Sequence, residues 1–109
     1  MSEIKIPFNE WSTSRLWRKR CTSRNKKHGE VGDTFVASHN SVTEDSIQVV
    51  EYQITHIEKI SLGFVAKYLY ELEGADSPEG FMKVWEDIHP VIGFVPEQKV
   101  WVHVFKEVK

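Results

Sequence analysis

One run of residues constrains this chain more than any other: Val100-Trp101-Val102-His103-Val104-Phe105. It is unbroken, rich in β-branched and aromatic side chains, and apolar at both parities. Successive residues of a strand point to opposite faces. The run therefore reads as a central strand buried on both sides, and a sheet holding it needs a covering layer on each face. The chain has 109 residues, 40% of them hydrophobic, with four Trp. That is enough apolar material for one domain, residues 1–109, without disulfides or a structural metal.

The other elements follow from periodicity and caps. Phe8 to Trp17 reads as a short helix, capped by Ser12 or Ser14, with Leu16 and Trp17 on its apolar face. Lys19 to Arg24 reads as an extended segment. Gly29-Glu30-Val31-Gly32-Asp33 is a turn signal, with Asp33 bonding backbone amides. Thr34 to Ala37 is a predicted strand, and Ser38 to Asp45 a hairpin loop. Ile47 to Ile60 is the longest strand candidate, and a phase change at Val49-Val50 predicts a bulge there. Ser61 to Glu73 is predicted to hold a helix with Phe64, Tyr68, Leu69 and Leu72 on one face, ended by Gly74. Ser77-Pro78-Glu79 is a helix start, and Phe81, Val84, Trp85 and Ile88 make one apolar stripe after it. Pro90 stops that helix, and Val91 to Gln98 is a loop. The order indicates an α+β fold, a small curved sheet or barrel covered by helices.

Charge is distributed unevenly. Arg15, Arg18, Lys19, Arg20, Arg24, Lys26 and Lys27 fall in one stretch without an acid, leaving the rest of the chain with a balance of −9. Such a stretch can focus positive potential and attract phosphate, or serve only as a solvated face. Trp11, Trp17 and His28 lie in or beside it, where rings suit stacking on unpaired bases. Trp17 serves equally well as a core residue. The apolar runs are too short to span a bilayer, and Met1 to Lys5 lacks an apolar signal core. A lone cysteine, Cys21, excludes an intrachain disulfide framework. The expectation is a cytoplasmic monomer with no membrane contact.

Few residues point to chemistry. The chain has no Walker loop, dinucleotide fingerprint, HExxH or nucleophile elbow, so no cofactor is expected. Its five histidines show no metal-ligand spacing. His103, in mid-strand, reads as a satisfied core histidine, and Trp85 with His89 as a packing pair. The informative stretch is Lys19-Arg20-Cys21-Thr22-Ser23-Arg24. If it is extended, Arg20, Thr22 and Arg24 share one face and Lys19, Cys21 and Ser23 the other. A lysine crowded by arginines is disfavoured as a cation. It can act as a base toward a hydroxyl such as that of Thr22, while Arg24 orients a carbonyl or phosphate. An acid to shuttle protons is missing from this stretch.

Lys19-x-x-Thr22-Ser23-Arg24, Gly29-x-Val31-Gly32-Asp33-x-Phe35, Glu73-Gly74, Ser77-Pro78-Glu79-x-Phe81, Trp85 and the final Val100-to-Phe105 run together resemble an ASCH domain (activating signal cointegrator homology), a PUA-like family. The resemblance spans about Arg15 to Val108. It implies a β-barrel of five or six strands with helices covering the rim, and a cleft between barrel and helices. It also implies action on RNA or nucleotides, as a binding module, a ribonuclease, or an amidohydrolase that deacetylates acetylcytidine. The amidohydrolase members use a Lys, a Thr and a Glu, which correspond here to Lys19, Thr22 and Glu73, and a family Arg corresponds to Arg24. Arg18 and Arg20 replace residues that are smaller in the family, a more basic rim that favours a polynucleotide.

Two principal readings result. In the first, the cleft recognises RNA or a modified nucleotide, with Arg15, Arg18, Arg24, Lys26 and Lys27 on phosphates. In the second, the domain hydrolyses an amide on an acylated pyrimidine nucleoside. Lys19 is then the base, Thr22 the nucleophile or water-positioner, Glu73 the proton shuttle and Arg24 the substrate anchor; a metal-free ribonuclease is a variant. A protein-binding domain is a third possibility. The enzyme needs Lys19, Thr22 and Glu73 around a closed pocket, whereas the module needs only an open basic groove. Without the resemblance, Glu73 is also explained as an acid ending a helix in a structural ion pair with Arg24.

Overall fold

A computed structural model describes residues 2–8, 10–13, 15–16, 18–40 and 47–108. The elements run β1 (Glu3–Ile4), α1 (Glu10–Thr13), β2 (Cys21–Arg24), β3 (Thr34–Asn40), β4 (Ile47–Ser61), α2 (Leu62–Tyr68), α3 (Pro78–Ile88) and β5 (Lys99–Glu107). Five strands form one mixed sheet in the order β1-β3-β4-β5-β2. β1 runs parallel to β3, and every other pair is antiparallel. Among the described residues no ladder joins β1 to β2, so the fold is α+β, a five-stranded sheet with helices packed on it. No helix among them is long and apolar enough to cross a membrane.

β5 lies inside the sheet, between β4 and β2, as its two apolar parities require. Val100 and Val102 are buried with Leu62, Val65, Ala66, Phe81 and Trp85 of the two helices. Phe105 is buried in a second cluster with Ile6, Leu16, Phe35, Tyr52 and Ile54. Its ring meets Phe35 and Tyr52 edge-on, each at 5.2 Å between centroids, a favourable aromatic geometry. The two clusters are the two covering layers.

The bulge in β4 is real but displaced. Ile54 pairs with Phe105 and His56 with Val104, leaving Thr55 as the extra residue, and the Thr55 hydroxyl donates to the Val104 carbonyl at 3.2 Å. Tyr52 and Ile54 face the core before it, and Ile57 packs there after it. The expectation of a bulge at Val49-Val50 is corrected by the exposure of Val49, 71% open to solvent. Its apolar character marked no buried face.

The helices keep their caps and shift their bounds. Ser77 caps α3, accepting from Gly80 N at 3.0 Å with Pro78 in the first turn. Phe81 and Trp85 are buried as expected, while Ile88, in the same stripe, is half exposed. α2 ends at Tyr68 and turns inward Leu62, Val65 and Ala66 rather than the expected Phe64, Tyr68 and Leu72. Two interleaved stripes have helical spacing here, and Ser61, which accepts from Phe64 N, starts the helix so that the first stripe meets the core. α1 is a single turn rather than a helix from Phe8 to Trp17; Ser14 and Trp17 lie outside the described residues. β3 runs to Asn40, into the expected loop, and residues 41–46 also lie outside them. The parallel β1 has two residues, too few for a periodic signal.

The Gly29–Asp33 turn forms as expected. Gly29 and Gly32 have φ of 69° and 97°. Asp33 accepts from the backbone N–H of Ser2 and of Glu30, each at 2.8 Å. These bonds hold its carboxyl below the usual carboxylate range.

Candidate functional site

The site is built on an edge strand. Among the described residues β2 is flanked only by β5. Its register is Cys21 to Val104, Thr22 to His103, Ser23 to Val102 and Arg24 to Trp101. The turn after α2 is pinned to the start of β2. The Leu72 carbonyl accepts from Arg20 N at 2.7 Å and from Cys21 N at 3.0 Å. The next residue, Glu73, is thereby held against β2. Gly74 follows with φ of 96°, a conformation that side chains disfavour. A Cβ there would stand 3.2 Å from the Arg15 Cβ. The Glu73-Gly74 pair thus has a physical rationale: the glycine lets the chain reverse against the segment that carries Lys19.

Lys19 and Glu73 form an ion pair with side chains 2% and 4% exposed, Nζ to Oε1 3.1 Å. Lys19 Nζ also donates to the Glu73 carbonyl at 2.8 Å. Ser23 Oγ donates to Glu73 Oε2 at 2.5 Å, and Cys21 Sγ lies 3.5 Å from the same oxygen. Burial, followed by the Glu73 carboxylate, pushes the Cys21 thiol well above its ordinary range. The strand alternation read in the sequence is visible in this network, since Lys19, Cys21 and Ser23 all converge on one carboxylate. Taking two charges out of water costs roughly several kcal/mol per ion.

Thr22 and Arg24 face the other way. Arg24 Nε donates to Thr22 Oγ1 at 3.1 Å, and the guanidinium sits 5.1 Å from the Phe8 ring centroid. Burial lowers the Arg24 pKa. His103 is a satisfied core histidine, fully buried. Its Nε2 accepts from His28 N at 2.9 Å, and its Nδ1 donates to the Thr22 carbonyl at 3.3 Å. Acceptance at Nε2 requires the neutral ring, and burial lowers its pKa accordingly.

These groups border one cavity of about 450 Å³, within the size range of small-molecule sites. Lys19, Thr22, Ser23, Arg24, Asn25 and Glu73 supply its polar side. Phe8 and Trp11, around α1, and Phe81, Val84, Trp85 and Ile88 of α3 supply its apolar side. His89 stacks on Trp85 at 4.2 Å between centroids, and this packing pair also borders the cavity.

The predicted site residues divide into two groups. Lys19, Thr22, Arg24 and Glu73 come together at the cavity. Thr22 contacts neither Lys19 nor Glu73 by hydrogen bond, and Glu73 pairs with Lys19 rather than with Arg24. Arg15, Arg18, Lys26 and Lys27 lie away from the cavity lining. Arg18 donates to the Gly74 carbonyl at 2.7 Å and to Asp76 at 2.8 Å. Lys27 pairs with Glu30 at 2.8 Å, Arg15 sits over the Trp11 ring at 4.3 Å, and Lys26 is exposed. Sequence reasoning missed Ser23 and Phe8, and offered Trp11 only as a stacking ring beside the basic stretch. The shared parity of Lys19 and Ser23 was a usable signal for the serine; for Phe8 there was none, because its place depends on how α1 docks.

No family model and no curated protein matches the sequence. Two solved structures share its fold. One is an ASCH domain from Lactobacillus crispatus JV V101, with TM-score 0.60 and 15% identity, covering 97% of this chain and 78% of that one. The other is a protein from Enterococcus faecalis V583 described under the family DUF984, with TM-score 0.63 and 16% identity, covering 98% of this chain and 75% of that one. From β1 to β5 the chain has the fold of an ASCH domain.

Proposed function

We propose that the cavity binds a single planar ligand of nucleoside size and hydrolyses an amide on it, an acylated pyrimidine such as acetylcytidine being the substrate class. The observation that carries this reading is the buried Lys19–Glu73 pair bordering a cavity that Phe8, Trp11, Phe81 and Trp85 also line. A polynucleotide groove needs a row of cations along its lining, and of the basic stretch only Lys19 and Arg24 border this cavity. Here Arg18 and Lys27 are engaged with acids of the chain itself.

The residues then have distinct tasks. Phe8, Trp11 and Trp85 offer aromatic surface to the flat base. Arg24, braced by Thr22 and Phe8, donates to a carbonyl of the ligand. Glu73 receives the proton of the attacking oxygen and delivers it to the leaving nitrogen. Lys19 stays beside that carboxylate and offsets the negative charge that develops on the carbonyl oxygen. Thr22 orients water at the cavity wall.

The test is release of cytidine and acetate from acetylcytidine by purified protein. We expect turnover, and a loss of about 100-fold or more in Glu73→Gln, with cytidine binding retained. Absence of turnover at high protein concentration, or a fully active Glu73→Gln, contradicts the reading.

A further inference from the structure

Two hydroxyls of β2 border the cavity, and only one of them has a base. Thr22 Oγ1 accepts from Arg24, and no group among the described residues takes the Thr22 proton. Ser23 Oγ donates to Glu73 Oε2 at 2.5 Å. Lys19 Nζ holds the other oxygen of that carboxylate at 3.1 Å. The result is a chain of hydroxyl, carboxylate and ammonium that meets the cavity at Ser23. A nucleophile bonded to a base, with the base held by a third group, is the arrangement that activates hydroxyl nucleophiles. Cys21 shares the carboxylate, but it is fully buried and does not border the cavity.

We propose that Ser23 is the nucleophile of this site and carries the acyl group as a transient ester. The inference rests on the hydrolytic reading above for its acyl donor. In the first half-reaction the Ser23 Oγ–H bond breaks and its proton moves to Glu73. The oxygen pair forms the Oγ–C bond at the amide carbonyl carbon, and the carbonyl π pair moves onto its oxygen. A carboxylate is a weak base toward an alcohol, so proton transfer accompanies Oγ–C bond formation. The tetrahedral adduct then collapses: the C–N bond breaks, its electron pair leaves on nitrogen, and Glu73 returns the proton to that nitrogen. In the second half-reaction water loses a proton to Glu73 and attacks the ester carbon. The C–Oγ bond breaks and Ser23 recovers the proton. The sum is amide plus water to amine plus carboxylic acid, with no further reactant.

The experiment is acid quench of the protein during turnover of acetylcytidine, and separately after exposure to 4-nitrophenyl acetate, followed by peptide mass mapping. We expect one acetyl group on Ser23 in the wild type and in Thr22→Val, and none in Ser23→Ala. Ser23→Ala should lose about 100-fold or more in kcat and keep its affinity for cytidine. The wild-type map needs no variant to fold. An acetyl group on Thr22 instead, absence of acetyl-Ser23 with both donors, or a Ser23→Ala variant within a few-fold of wild type overturns the proposal. Acetylcytidine hydrolysis that survives Ser23→Ala leaves the hydrolytic reading standing and removes Ser23. Acetylation of Ser23 by the activated ester without acetylcytidine turnover keeps the nucleophile and removes the substrate class.

Discussion

At the scale of single residues, Lys19 and Glu73 meet where the chain has excluded water from both, and that placement can be tested against stability. Removing one partner of a buried pair leaves the other charge uncompensated, whereas replacing both with apolar groups removes the desolvation cost. We therefore expect Lys19→Met alone to destabilise the domain by about 3–5 kcal/mol. The double variant Lys19→Met, Glu73→Leu should recover most of that loss in urea melts and still fail to turn over acetylcytidine. A double variant as unstable as the single one makes the pair a structural device. The candidate residues Lys19, Thr22, Arg24 and Glu73 were legible in the sequence because spacing along an extended strand is local information, and a resemblance added the distant glutamate. The role proposed for Ser23 was only half legible: its parity with Lys19 could be read, but which face of β2 meets Glu73 depends on Leu72 docking onto Arg20 and Cys21.

Elements carry two further expectations. Ser77 closes the first turn of α3, so Ser77→Ala should cost about 1 kcal/mol, read as a lowered midpoint of thermal or urea unfolding. His103 ties β2 to the loop at His28 through a neutral ring. Its folded pKa lies below the unfolded value, so on acidification the unfolded chain takes the proton first. Stability should therefore fall as pH drops through about 6.5, the unfolded value, and level off below the folded pKa. In His103→Gln that limb should be flatter; an unchanged pH profile contradicts the assignment. Long elements with both a cap and a stripe, such as α3 and β5, were readable in advance. α2 was misread because seven residues hold two equally spaced stripes, and only contact with Val100 and Trp85 chooses between them. The displaced bulge in β4 has the same origin, since an exposed valine mimics a buried one until the partner strand is known.

For the molecule as a whole, charge separation and cavity point to different partners. The basic stretch from Arg15 to Lys27 lies in sequence around Lys19, yet its outer members engage Asp76, Glu30 and the Trp11 ring. Binding dominated by phosphate contacts weakens steeply with salt. Binding of an uncharged nucleoside in an aromatic cavity should change little between about 50 and 200 mM salt, and Lys26→Ala with Lys27→Ala should leave it intact. A steep salt dependence, or loss of binding in that pair of substitutions, contradicts the small-ligand reading. The most direct test uses the tryptophans as reporters. Trp11 and Trp85 border the cavity, while Trp101 lies beside Lys27 and Lys59. In a cytidine titration followed by the indole N–H resonances, we expect Trp11 and Trp85 to shift in a saturable manner and Trp101 to stay in place. Shifts confined to Trp101, or none at all, contradict the claim that the Lys19–Glu73 cavity is the ligand site.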